Sequence, residues 1–127
     1  MSRSVVAAVS PQAATVGYSR AVRVGEHVHV AGTAPIFPDG AATPADAYLQ
    51  AKRCLEIVVA ALTEVGASPE HVCRTRVYLV DAADWEEVGR AHGEVFGSAL
   101  PASTFVVVAG LLDEEWRVEI EAEAIVA

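Results

Sequence analysis

Three glutamates near the C-terminus have the spacing of a reactive row. Glu119, Glu121 and Glu123 alternate with Val118, Ile120, Ala122 and Ala124. On an extended strand the carboxylates then share one face and the apolar residues the other. A carboxylate enclosed in a cleft can act as general base or acid towards a water molecule. One that faces Arg74 and Arg76, or solvent, does no chemistry. His92 presents the same two possibilities. At the edge of a cleft its imidazole would supply a proton donor or an anion contact, whereas a buried imidazole satisfied by a carbonyl supplies only packing. Tyr18 offers a ring and a hydroxyl at a strand start, and Trp116 offers a cleft wall or an anchor for the last strand. Ser103 can hydrogen-bond a ligand or simply open a strand. No Gly-x-Ser-x-Gly elbow surrounds it, so it lacks the setting of an activated nucleophile. Thr104, the next residue, points to the opposite face.

Other reactive types carry less. His27 and His29 share one strand face at a spacing that fits two ligands of one metal, but no third ligand is apparent nearby. No metal is therefore expected. Cys54 and Cys73 read as core or near-core residues without a Cys-x-x-Cys partner. No phosphate loop or nucleic-acid motif is present.

The elements that must position these residues follow from periodicity and turn chemistry. Tyr18 to Val24 and His27 to Thr33 are β-rich runs around Gly25-Glu26, a signal for a hairpin with a type II′ turn. Pro35 to Pro44 is the longest loop candidate. Thr43 can cap the first helix, with Pro44 at its first position and Asp46 in its first turn. Tyr48, Ala51, Leu55, Val58, Leu62 and Val65 form its apolar face, and Gly66 ends it. His71 to Val80 reads as a strand with Cys73, Thr75, Val77 and Leu79 on one side. In the second helix Asp84 and Glu87 form a capping-box-like pair, and Trp85, Val88, His92 and Val95 make the inner stripe. Ser103 to Ala109 and Trp116 to Val126 are the closing strands. The order β-β-α-β-α-β-β predicts an α+β fold, a mixed sheet with two helices on one face. The run Phe105 to Val108, apolar on both faces, is expected at the sheet centre, its second face covered by another subunit.

Composition bounds the rest. The chain has 127 residues, 53% of them hydrophobic, and a net charge of −8. That is a single domain, residues 1–127, able to bury a core. The acidic balance argues against binding a polyanion, so a nucleic-acid partner is not expected. The run Val5 to Val9 is too short for a secretory signal, and no stretch approaches the ~20 apolar residues of a membrane helix. The expectation is a cytoplasmic protein with no membrane partner and with reduced thiols.

Several segments resemble the Rid family, also called YjgF. They are Tyr18 to Gly25, Val30 to Pro35, Val72 to Asp81, Leu100 to Thr104 and Val118 to Ala122. The likeness runs from Tyr18 to Ala124 in order and without a large gap. It implies a chorismate-mutase-like subunit that assembles as a homotrimer around a barrel, with a small-molecule cleft at each subunit interface. It also implies hydrolysis of reactive enamines and imines, such as 2-aminoacrylate, to carbonyl compounds and ammonia, without metal or organic cofactor.

By the same resemblance Glu119 stands at the glutamate that positions water or relays a proton. Tyr18 and Gly32 match the cleft lining. Three positions depart. Active members read Pro-Ala-Arg-Ser where this chain reads Pro101-Ala102-Ser103-Thr104. A neutral, shorter serine cannot grip a carboxylate as the arginine fork does. Gly89 and Phe105 stand where many active members have asparagine and cysteine. The resemblance thus implies either an enamine/imine deaminase with altered substrate preference, its reactive residues Glu119 and His92, or a ligand-binding homologue without turnover. A ribonuclease ranks behind both.

Overall fold

The computed structural model describes residues 2–127. Its elements are β1 (Arg3–Ala7), α1 (Ala13–Val16), β2 (Ser19–Val24), β3 (His27–Thr33), α2 (Ala47–Glu64), β4 (Val72–Leu79), α3 (Trp85–Phe96), β5 (Ala102–Val107) and β6 (Val118–Ile125). Six strands form a mixed sheet in the order β1-β2-β3-β6-β4-β5. The β4–β5 pair is parallel and the others are antiparallel. A parallel pair needs a crossover, and α3 provides it.

The hairpin forms as its sequence dictates. Val24 pairs with His27, and Gly25 takes φ 60°, the positive value that the first position of a II′ turn requires. The last strand also follows its alternation. Val118, Ile120, Ala122 and Ala124 are buried beneath the helices, against Leu55, Val58 and Leu62 of α2. Gly66 ends α2 in the left-handed region at φ 81°, with the Ala67 N–H donating to the Leu62 carbonyl.

Several expectations are corrected. The α2 cap is Asp46, whose carboxylate accepts from the Leu49 N–H at 2.9 Å, and not Thr43. Asp84 does not cap α3. It takes a two-pronged contact from the Arg117 guanidinium, both bonds 2.9 Å, which ties the start of α3 to the approach to β6. Trp85 is exposed, and Val88, Ala91 and Phe96 fill the inner face of α3 in its place. Cys73 is exposed because a register shift between Val72 and Arg74 hands the inward position to Val72. β5 lies at the sheet edge rather than its centre, leaving Val106 and Val107 in solvent. Within one chain only β4 is available to pair with it. The edge strand β1 escapes a pattern-based reading because Val6 alone of its five residues is buried.

Candidate functional site

A cleft of about 830 Å³ opens beside β2, β3 and β6, with α2, the segment from Val9 to Val16 and the loops after β3 and before β6 as its other walls. It collects four residues singled out in the sequence: Tyr18, Gly32, Trp116 and Glu119.

Glu119 sits on β6 opposite Tyr78 of β4, on the face away from the helices. Its other neighbour, β3, carries a bulge between Val30 and Thr33. Gly32 lies in that bulge, and a Cβ there would stand 2.9 Å from the Glu119 Oε1. Any larger residue would displace the carboxylate, so the glycine is a matter of space rather than of backbone freedom. Burial pushes the Glu119 carboxyl above its ordinary range. The Arg20 guanidinium opposes that shift and the Glu121 charge adds to it. Glu121 and Glu123 are engaged by others. Tyr78 donates its hydroxyl to Glu121, Arg76 stands 3.5 Å from Glu121 and 4.0 Å from Glu123, and His29 stands 3.5 Å from Glu123. Glu119 takes part in none of the ion pairs found among the described residues. A half-buried carboxylate whose pKa burial raises, with no cation clamped to it, can exchange a proton with a water or ligand in the cleft.

Arg20 is the residue the sequence reading missed. One of its nitrogens, Nη1, donates to the Gly32 carbonyl at 2.9 Å and to Thr33 Oγ1 at 2.8 Å. The other, Nη2, reaches the Tyr18 hydroxyl at 3.4 Å, and the guanidinium lies 5.6 Å from the Tyr18 ring centre. Ser10 hydrogen-bonds the same hydroxyl. Arg20 therefore fixes the bulge that carries Gly32 and the ring of Tyr18 together. The available signal was the alternation of β2, which buries Ala21 and turns Arg20 towards the Glu119 side. Gln50 was missed as well. It is fully buried, donates to the Pro44 and Glu115 carbonyls and accepts from the Arg117 N–H, which holds the loop carrying Trp116.

The remaining singled-out residues gather elsewhere. His92 Nε2 lies 2.8 Å from Thr75 Oγ1, and Thr75 Oγ1 lies 2.8 Å from Ser103 Oγ. Thr75 is fully buried, and the His92 ring packs beside Phe96 and Phe105. Burial lowers the His92 pKa, so the imidazole is neutral at pH 7. Thr104 points to the other face, where Arg74 donates to its hydroxyl at 2.8 Å. Gly89 sits on α3 beside Trp85. Within one chain none of these five residues lines the Glu119 cleft.

Comparisons with known proteins agree on one family. The family model described as endoribonuclease L-PSP matches residues 8–126. A protein of Streptomyces coelicolor is 41% identical over 115 residues, covering 91% of this chain and 86% of the relative. The mouse 2-iminobutanoate/2-iminopropanoate deaminase is 32% identical over 124 residues, covering 97% and 91%. The crystal structure of Rv2704 from Mycobacterium tuberculosis, a member of the YjgF/YER057c/UK114 family, superposes with a TM-score of 0.89 at 39% identity, covering 98% of this chain and 100% of that one. The chain belongs to this Rid/YjgF family.

Proposed function

We propose that the chain hydrolyses reactive enamines or imines to carbonyl compounds and ammonia in the cleft around Glu119. The observation that carries this reading is the Glu119 carboxylate itself. It is half-buried, raised towards neutrality and free of an ion pair, against the one residue type, glycine, that leaves it room. A relative with imine deaminase activity, aligned over nearly the whole chain, supports the reaction class.

The chemistry asks little more than these groups. Water adds to the carbon of C=N, and Glu119 takes one of its protons and passes it to the nitrogen, giving a carbinolamine. Glu119 then takes the carbinol O–H proton and returns it to the nitrogen as the C–N bond breaks, so ammonia leaves with both protons of the water and C=O remains. Arg20 holds the Gly32 bulge, and both Arg20 and Tyr18 border the reacting space.

The proposal extends to assembly. The edge strand β5, with Val106 and Val107 exposed, is covered by a neighbouring copy in a homotrimer. Ser103 of one subunit then borders the Glu119 cleft of the next, at the position where the family resemblance implies an arginine.

A second reading, ligand binding without turnover, has an observation of its own. Arg20 is the cation whose charge acts on Glu119, and its guanidinium is spent on Gly32, Thr33 and Tyr18 rather than left free for a substrate. Ribonuclease activity is disfavoured by the net charge of −8.

The test is ammonia release from imines generated in situ by an amino-acid oxidase and an amine oxidase, measured against the spontaneous reaction. Acceleration that disappears in Glu119→Gln is expected. No acceleration for any imine, together with saturable binding in the cleft, would replace hydrolysis by the second reading.

A further inference from the structure

The cleft is far larger than hydrolysis of a three-carbon imine needs. Its 830 Å³ equals the liquid volume of about 25–30 waters. Tyr18, Arg20 and Glu119 are its polar groups where β2, β3 and β6 meet, and Ser10, Gln12 and Asp39 add polar groups from the flanking segments. The lining from elsewhere is largely apolar: Ile57 and Ala60 of α2, Ile36 and Phe37 after β3, and Leu112 and Trp116 before β6. The α2 charges at the cleft, Arg53 and Glu56, are turned on each other at 3.4 Å, and Arg53 also donates to the Ile36 carbonyl at 2.6 Å. That pairing leaves Asp39, in the loop after β3, as the one charge of the remaining lining that takes part in no ion pair among the described residues. Ile57 and Ala60 lie on a stripe of α2 beside the buried Cys54, Val58 and Ala61, so α2 faces the core with one stripe and the cleft with the next. Leu112 is 78% exposed. Apolar side chains left in water around a concavity that ends on a reactive carboxylate mark a ligand site.

From this we infer that the substrates carry a branched aliphatic or aromatic substituent of at least four carbons beside the C=N group, and that Ile57, Ala60, Phe37 and Trp116 select it. The inference rests on the hydrolytic reading for its chemistry and on the cleft walls alone for the substituent.

The experiment has a catalytic and a binding arm, both on the full chain. Imines generated from alanine, leucine and phenylalanine are compared by kcat/KM for ammonia release. The keto acids pyruvate and 4-methyl-2-oxopentanoate are compared by thermal stabilisation. The leucine and phenylalanine imines are expected to exceed the alanine imine by about 10- to 50-fold, and the six-carbon keto acid to stabilise more than pyruvate. Ala60→Trp, at an exposed helix position, fills the apolar wall and is expected to cut the leucine-to-alanine ratio by about tenfold. If no imine is turned over but the larger keto acid still binds better, the hydrolytic reading fails and the ligand class stands. Equal rates and equal binding for small and bulky ligands overturn the inference. So does an Ala60→Trp variant that dissociates the assembly without changing the preference, since the apolar wall would then be packing between copies.

Discussion

The Glu119 cleft and the Ser103–Thr75–His92 cluster hold similar ingredients and treat them in opposite ways. Each contains a half-buried titratable group that burial drives towards its neutral form, upwards for Glu119 and downwards for His92. In the cluster the imidazole is absorbed. Its Nε2 meets Thr75, Thr75 meets Ser103, and two phenylalanines flank the ring. In the cleft the effort goes the other way. Arg20 anchors the backbone around Glu119 without clamping its carboxylate, and Gly32 keeps the space beside it open. A group is made inert by satisfying it, and available by satisfying its surroundings instead.

That difference predicts where substitutions bite. Glu119→Gln should lower kcat/KM for imine hydrolysis by about 100-fold or more, in the range for loss of a general base, while Ser103→Ala stays within about tenfold. A larger loss at Ser103 would move the reacting group into the cluster. Gly32→Ala comes next. Its new Cβ must push the carboxylate aside, and an activity loss of about tenfold to 100-fold is expected, with circular dichroism showing an unchanged fold. Thr75→Val should reverse the balance. It strips both His92 and Ser103 of their partner and should cost about 1–3 kcal/mol in urea denaturation, with little change in the rate per folded molecule. Ser103→Arg, which adds a carboxylate-binding fork at the subunit edge, should raise turnover of carboxylated imines several-fold if β5 borders a neighbour's cleft. No gain would separate the edge strand from the site.

The smallest expected effect is in pH. The Glu119 pKa is raised, so the folded state holds its proton where the unfolded state has lost it. Stability then falls as pH rises from the ordinary carboxylate range through the raised value, and Glu119→Gln removes that fall. The His92 pKa is lowered, so the unfolded state binds the proton first. Stability falls as pH drops below 6.5 towards the folded value, and His92→Phe removes that fall. Denaturation midpoints measured between about pH 4 and 8 check both signs. The same shift places the acid limb of kcat/KM above the ordinary glutamate range.

Much of this was legible in the chain. The hairpin at Gly25, the α2 stripe ending at Gly66 and the inward face of β6 come from local periodicity and turn chemistry, and each appears where the pattern puts it. No helix among the described residues is long and apolar enough to cross a membrane. Other features were not legible. Asp84 and Thr43 both look like caps, but Asp46 takes the α2 cap through the Leu49 N–H three residues on, and the capture of Asp84 by Arg117 depends on a partner far away in sequence. Cys73 looked inward because a strict alternation was assumed, and a single bulge reversed it.

The sequence by itself determined which residues face the core where an element runs without interruption, as in α2 and β6, because strand and helix periods of 2.0 and 3.6 are set by the backbone. It also carried the family motifs, and with them Glu119 as the leading candidate for a reactive residue. Only the tertiary structure decided that Tyr18, Gly32, Trp116 and Glu119 share a cleft with Arg20, that His92 and Ser103 do not line it within one chain, and that β5 is an edge. Those outcomes turn on the strand order and on the bulge in β3. Both arise from pairing between distant segments, and a one-residue slip in pairing moves every side chain to the other face.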